Sequence, residues 1–388
     1  MRSTEGRTLA KFAAKGEASF YDTVKERVRD YFEQTGKSPS ADQRMYWKSA
    51  AMLAMYFVPL AAILAGVGQY SLLLFYACWL LMGVGLVGIG TSIMHDSNHG
   101  SYSANKTVNY IMGGIINLMG AYTVNWRIQH NILHHTYTNV SGLDDDIDSG
   151  KLLRMSPHQE HHSFQKWQHI YCWPLYALMN IYWVFAKDYK QAIQFEREGL
   201  LRKEKKTLKQ ALWEITAMRL FYFAYTVALP ILISGVAWYH VVLGFMMVQV
   251  IAGFSLACIF QPAHVMETSD YLQPDDQRKM ENSWAVHQVL NTANFAPRNR
   301  FLTWFIGGLN RQIEHHLFPQ ICHVHYPALS RIVKQTAQEF NLPYHEYPTF
   351  RSALKGHYQM LKELGKPKPQ LSAITSEYFS NSLQKQAA

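Results

Sequence analysis

Three stretches of this 388-residue chain carry imidazoles at spacings that suit a metal: His95-Asp-Ser-Asn-His99, His130-Asn-Ile-Leu-His134-His135 and Gln312-Ile-Glu-His315-His316. On an α-helix, positions four apart share a face. His95 with His99, His130 with His134, and Gln312 with His316 can therefore each present a pair toward one point, and the doublets add a neighbouring ligand. Imidazole suits iron, zinc and copper, and no cysteine lies within five residues of these stretches to favour a thiolate zinc site. Two irons held mainly by neutral nitrogens can reduce dioxygen, and the resulting oxidant can attack an unactivated C–H bond. No ordinary side-chain acid or base can do that.

The elements that position these residues are read from the charges. No Lys, Arg, Asp or Glu occurs from Ser49 to Met94, nor from Leu220 to Ala263. Each run is long enough for two crossings, because one helical span needs roughly 20 apolar residues. Gly66, Gly68 and Ser234-Gly235 supply the breaks,. The expected fold is all-α and integral to the membrane, with four transmembrane helices in two hairpins at about 49–67, 71–94, 214–234 and 237–260. A cytoplasmic helical cap, 95–213 with 261–330, would hold the histidine-rich di-iron site. Residues 1–47 would form an N-terminal arm, and 331–388 a C-terminal segment beyond the membrane domain at 48–330.

All 37 Lys and Arg lie outside the two uncharged runs. The positive-inside rule then puts both termini and all three histidine stretches in the cytoplasm. The net charge of +9 is mostly this bias and implies no nucleic-acid partner, and the mean hydropathy of −0.14 averages apolar spans with polar cap segments. Cys78, Cys172, Cys258 and Cys322 are isolated, which excludes a disulfide framework,. The polar N-terminus lacks a cleavable signal, so the first span itself would direct insertion.

Within the arm, Phe20, Val24, Val28 and Phe32 fall on one face of an amphipathic helix that would lie on the body or the bilayer,. Residues 110–125 are apolar but short and glycine-rich, and 168–186 are aromatic and broken by Pro174. The first is expected to be an interfacial or re-entrant helix and the second interfacial, a fifth span at 168–186 being the alternative. Residues 187–210 read as one charged helix. Gly83-Val-Gly85-Leu-Val-Gly88 matches a dinucleotide fingerprint literally, yet no strand precedes it and no acidic residue follows about 20 positions on,. Small residues there would let helices approach closely in lipid.

The three motifs, at the ends of two hairpins, resemble the histidine boxes of integral-membrane fatty-acid desaturases over about residues 50 to 330. Gln312, within Gly307-Gly-Leu-Asn-Arg-Gln312-Ile-Glu-His315-His316-Leu-Phe-Pro319, resembles the front-end (delta-5/delta-6, linoleoyl-CoA desaturase-like) subgroup. That subgroup inserts a double bond between an existing one and the carboxyl end. Gln261-Pro-Ala-His264-Val-Met-Glu267 resembles a family segment whose histidine is a further iron ligand. The resemblance implies His95, His99, His130, His134, His135, His264, His315 and His316 as ligands of two irons. Gln312 would be a weak ligand or a hydrogen-bonding partner behind the ligands.

It also implies an oxygen-dependent desaturase that forms a cis double bond in an acyl chain carried on coenzyme A, a phospholipid or an acyl carrier protein. A tunnel into the bundle would select the carbon. The chain has no His-Pro-Gly-Gly haem motif and its arm is too short for a fused cytochrome b5 domain. Electrons would come from a separate ferredoxin or cytochrome b5 and its reductase, in an enzyme of the bacterial inner membrane. A related hydroxylase, ketolase or alkane monooxygenase would share the histidines and insert oxygen instead. A zinc-binding receptor or transporter is a different class, but transport calls for ionisable residues within the spans, and the two uncharged runs offer only His240, with Gln69 and Gln249 as further polar groups.

Other residues carry weaker signals. His158, His161, His162 and His169 match no box and would face solvent at the interface. His323 and His325 suggest loop structure or headgroup contact, and His287 either supports the ligands or is an ordinary satisfied histidine. Asp144, Asp145, Asp146 and Asp148 would bond ligand histidines or cap helices, and Asn125 and Trp126 would shape the tunnel. Arg202, Lys203, Lys205, Lys206 and Lys209 would meet a phosphate or form only the basic cytoplasmic face.

Overall fold

The computed structural model describes residues 9–13 and 19–370; residues 1–8 and 14–18 of the expected arm and 371–388 of the expected C-terminal segment lie outside the described residues. Helices dominate, and four are long and apolar enough to cross a membrane: Gln43–Leu64, Leu72–Asn98, Leu208–Ile233 and Trp238–Ala263. Side-chain caps set where the first three begin. The Asp42 side chain accepts from the Arg44 N–H, Ser71 from Leu74, and Thr207 from Gln210 in a capping box,. Because the Asp42 and Thr207 caps lie upstream of the uncharged runs, the first span includes Arg44 and Lys48 and the third Lys209, Glu214 and Arg219.

The second span packs on the first and the fourth. Gly85 makes the first contact close: a Cβ there would stand 2.9 Å from the backbone of Met55 and Tyr56. The literal dinucleotide fingerprint is thus a helix-packing surface.

Two further helices flank the spans and are not among them: Lys106–Leu118, which is too short, and Gln168–Tyr182, which continues through the π-turn Trp183–Lys187 into the charged Asp188–Arg197. The second buries Cys172, Tyr176 and Asn180 against the fourth span and exposes Ile170, Leu178 and Tyr182. One apolar outer face and one packed inner face suit an element lying in the membrane interface. Residues 187–210 are not one helix. Asp188–Arg197 stops at Gly199, which takes φ +71°, and a single 3₁₀ turn at Leu201–Glu204 leads into the third span. The charge pattern was helical, but buried Leu200 and Leu201 turn the chain inward there.

Phe20–Thr35 lies on the protein body, where Phe20, Val24 and Val28 pack with Tyr326, Leu329 and Val333 of the helix Tyr326–Glu339. Asn294–Phe295 pairs in parallel with Glu346–Tyr347, which brings the C-terminal helix Phe350–Leu364 onto the cap. His357 on that helix is fully buried, with Nδ1 2.8 Å from the Val265 carbonyl and Nε2 2.7 Å from the Tyr176 hydroxyl. The neutral ring satisfies both partners: Nδ1–H donates to the carbonyl and Nε2 accepts from the tyrosine.

Burial pushes His357 down to about 4, the Val265 carbonyl opposing it. In the unfolded chain this histidine titrates near 6.5, so on acidification the unfolded state takes up the proton first. The contribution to stability is complete above that value and is lost as the pH falls toward 4, roughly 2 kcal/mol by pH 5. Thermal unfolding of the detergent-solubilised protein should therefore fall less steeply between pH 7 and 5 in His357→Gln than in the parent. Parallel pH profiles would reject this.

Candidate metal centre

The histidine stretches meet at one end of the spans, and π-helical turns aim them. The second span widens into a π-helix at Ile89–Ile93 before Met94–Asn98. Hydroxyls occupy the carbonyls that widening disturbs: Thr91 donates to Val87, Ser92 to Gly88 and Ser97 to Ile93,. Gly307, at φ +64°, lies against this turn so closely that a Cβ would collide with the Thr91 carbonyl. The glycine pair before the third stretch thus lets that segment dock on the first.

The second stretch departs from the α-helical expectation. Arg127–His134 is a π-helix, whose wider turn brings i and i+5 together. The Nε2 atoms of His130 and His135 are accordingly 3.2 Å apart. His130 and His134 also converge, as four-residue spacing implies, but on Asp146, which lies 3.6 and 3.4 Å from their Nδ1 atoms.

Two groups of imidazoles result. His95, His99, His130 and His315 have ligand nitrogens within 4.8 Å of one another; His134, His264 and His316 form the second group. His135, with His315 and His316, joins them. All eight are buried except His99, which is partly so. His264 enters from the end of the fourth span, its carbonyl held by Asn139 at 2.8 Å. The third stretch sits on the short helix Gln312–Leu317, where Asn294 accepts from the Ile313 N–H at 3.0 Å and donates to Glu314 at 2.9 Å. Gln312 is buried on that helix, its amide nitrogen without a hydrogen-bond partner.

Outer hydrogen bonds fix several rings by Nδ1. His134 donates to Asp144 at 3.0 Å and His316 to the Gln288 oxygen at 2.8 Å, while His315 meets the Tyr326 hydroxyl at 3.2 Å. What remains is Nε2. Those of His99, His264 and His316 are buried without partners, and those of His95 and His130, and of His135 and His315, stand 3.2 and 3.0 Å apart. Burial, reinforced by neighbouring imidazoles, holds His99, His130, His135, His315 and His316 well below the ordinary histidine value. Burial takes His264 down to about 3. For His134 burial acts the same way, but Asp144 and Asp146 outweigh it and raise that group to about 9. Apart from His134, whose Nδ1 proton is held by Asp144, these are neutral rings with converging lone pairs, the donor set of a transition metal,, and the orphaned nitrogens fit two such ions side by side.

Remaining expectations separate cleanly. Asp96, Cys322 and His323 also lie within ligand distance, but Lys48 Nζ stands 2.8 Å from His323 Nε2 and supplies the cation there. His323 donates its other nitrogen to Asp96 at 2.7 Å, so it makes neither the loop nor the headgroup contact expected. His287 bonds the Thr138 carbonyl at 2.8 Å and stands behind the cluster. His158 and His161 bond the carbonyls of Tyr271 and Gly365 at 2.9 and 3.0 Å and do not converge with His169. Asp144 both bonds His134 and caps Asp146. Asn125 faces Asp188 instead of a tunnel, and Lys206 pairs with Glu214. Gln288, Asn291 and Tyr326 were not anticipated, because their spacing to the histidines in sequence carries no signal.

A cavity of about 690 Å³ runs along this cluster, lined by His130, His134, His264 and Trp126, with Leu178 and Tyr182 of the interfacial helix at its side. A smaller apolar pocket of about 60 Å³ shares Trp126, Trp183, Leu256 and Phe260 with it and ends among Leu86, Ile116 and Met119. Trp126 packs its ring 4.5 Å from His130 and lines the cavity beside the histidines.

The family model described as fatty acid desaturase matches residues 71–348. The sn-1 linoleoyl-lipid 6-desaturase of Synechocystis sp. is 34% identical over 348 residues, 89% of this chain and 96% of that protein. The enzyme of the same name from Arthrospira platensis is 33% identical over 360 residues, 92% and 95% of the two chains. The acyl-lipid (8-3)-desaturase of Physcomitrium patens is 36% identical over 354 residues, 89% and 72%. Since the matched region runs through all three histidine stretches and the fourth span between them, the chain belongs to the fatty acid desaturase family.

Proposed function

We propose that this membrane desaturase is a front-end enzyme acting on acyl chains esterified in membrane lipids. It adds a cis double bond on the carboxyl side of existing ones, with carbon six favoured by the names of the relatives that align along nearly their whole length. The observation that carries this reading is the pair of buried imidazole groups, poor in protons and rich in free Nε2 atoms, set beside a cavity of acyl dimensions. His95, His99, His130 and His315 would hold one iron, and His134, His264 and His316 the other, with His135 between them. Gln312 would support the ligands from behind. When bound, the irons supply the reductive activation of dioxygen. In the overall reaction the acyl chain loses two vicinal hydrogens, and O2 takes these with two protons and two external electrons to give two waters.

The protein's own contribution is orientation and exclusion. Asp144 and Gln288 hold their rings by Nδ1 and keep Nε2 available. Trp126 and Phe260 present an apolar wall on which methylenes can lie, and the pocket ending at Met119 has room for the chain beyond the reacting carbons. The exposed apolar face of Gln168–Tyr182 supports entry from the lipid side. The positive-inside distribution favours a cytoplasmic cap in a bacterial inner membrane, with electrons delivered by a ferredoxin or cytochrome b5 and its reductase. The named relatives are desaturases, so an oxygen-inserting activity is not favoured.

Purified protein reconstituted with ferrous iron should hold about two irons per chain by elemental analysis, the number a paired site requires. His264→Ala should lower this toward one, and Asp144→Asn should weaken iron binding about 10- to 100-fold by releasing a ring. A zinc stoichiometry near one, or wild-type iron affinity in Asp144→Asn, would overturn the assignment. A host expressing the chain and fed linoleate should accumulate an acid with one new double bond toward the carboxyl end, located by gas chromatography and mass spectrometry. A hydroxylated product would refute desaturation as its reaction.

A further inference from the structure

The cavity beside the histidines is not uniformly apolar. The small pocket that adjoins it through Trp126, Trp183, Leu256 and Phe260 is apolar and includes Leu86, Ile116 and Met119, while the cavity itself is lined in part by two ammonium groups, Lys187 and Lys190, and by Asp145, Asp146 and Asp148. Lys187 closes the π-helical turn Trp183–Lys187, an irregularity of the kind that re-aims a side chain at functional sites. The next residue explains its direction. Asp188 is fully buried and receives Arg219, the Tyr122 N–H, Asn125 and the Trp183 indole N–H. Its acceptors are taken, so it does not draw Lys187 inward. Among the described residues no carboxylate lies within ion-pair distance of Lys187, whose Nζ rests 3.9 Å over the Trp183 ring. A half-buried ammonium has three donors, and here they face a cavity shared with His130 and His134.

This set of features, cation, metal cluster, apolar pocket, matches an acyl ester lying with its carbonyl outward. Two ammonium groups against three carboxylates give the cavity no excess of positive charge. That balance disfavours the phosphates of coenzyme A or a free carboxylate and suits a neutral oxygen acceptor. Resting on the desaturase reading above, we propose that Lys187 is the residue from which this enzyme counts. Its ammonium hydrogen-bonds the ester carbonyl of a neutral membrane glycerolipid and so fixes which methylenes stop beside the histidine cluster. Lys190, one turn further out, stacks its ammonium 5.0 Å over Tyr182 and borders the path to the glycerol.

The test is the position of the product's double bond. Lys187→Met keeps the stem over Trp183 and removes the donors; Lys187→Gln keeps a donor on a stem shorter by one bond. Both are expressed in a linoleate-fed host, products are located by mass spectrometry of derivatised esters, and iron content is measured on purified protein. Lys187→Met should retain iron, give about tenfold less product and spread the new bond over neighbouring positions. Lys187→Gln should displace it to an adjacent carbon. A residue that only balances Asp146 would change yield or stability but not position, so product at the parental carbon in both variants overturns the proposal. If Lys187→Met fails to accumulate, the position in Lys187→Gln decides alone. Preference of the purified parent for acyl-coenzyme A over a neutral glycolipid would also overturn it. Absence of any new double bond from the iron-loaded parent would instead count against the desaturase reading itself.

Discussion

Lone pairs on buried nitrogens repel one another, and in this cap four Nε2 atoms, of His95, His130, His135 and His315, form a chain with steps of 3.0 to 3.2 Å. Such crowding is tolerable only if protons or cations stand between the rings. Protons are disfavoured because burial and mutual repulsion act together against ionising the central members. A metal resolves the conflict, since one ion satisfies several lone pairs at once. The rest of the cap can be understood as the apparatus that keeps the rings crowded: hydrogen bonds at Nδ1, short helices capped by Asn294, and spans that cannot slide because Gly85 and Gly307 leave no slack at their contacts.

π-Helical turns are the second device. They occur before the first histidine stretch, through the second, and on the cavity wall at Trp183–Lys187. Each costs hydrogen-bond geometry relative to an α-helix. What it gains is an extra residue per turn on the inner face, and in the second stretch that residue is decisive. With His130, His134 and His135 in one π-turn, a single segment feeds both imidazole groups. A regular α-helix would keep His130 near His134 but would not bring His135 back to within 3.2 Å of His130,.

The gross architecture was legible because membrane insertion is a coarse constraint. Long uncharged runs admit few solutions, and Ser49 to Met94 and Leu220 to Ala263 could only be paired spans. The histidines were legible because ligand chemistry restricts residue type. Their partition was not, since it depends on the π-turn, and no residue in Arg127–His134 advertises one. The outer partners were hidden for a different reason. Gln288 and Tyr326 reach His316 and His315 with an amide and a phenol, and Asn291 reaches His264 with its backbone carbonyl; none of these groups has a distinctive spacing to the histidine it meets. The misreading of residues 187–210 is similar in kind: the charge pattern suited one helix, and the stop came from buried Leu200 and Leu201.

Neighbouring methylenes of a saturated segment differ little in C–H strength, so chemistry alone cannot choose among them. Discrimination must come from geometry, and geometry is useful only if the cavity wall is rigid against the metal cluster to less than the separation of adjacent carbons. The buried pair Asp188 and Arg219 joins these parts. Asp188 lies at the end of the wall helix, Arg219 belongs to the third span, and the same carboxylate accepts from Tyr122 and Asn125, immediately before the second histidine stretch. Desolvating two charges is expensive, and well-packed apolar residues would often serve stability as well. An apolar contact, however, permits sliding. A carboxylate filled by donors from three directions has one position, and removing Arg219 leaves its buried charge unmatched at a cost of roughly 3–5 kcal/mol,. Conformational specificity therefore accounts for the pair better than stability does, because it fixes wall, span and histidine segment in one register.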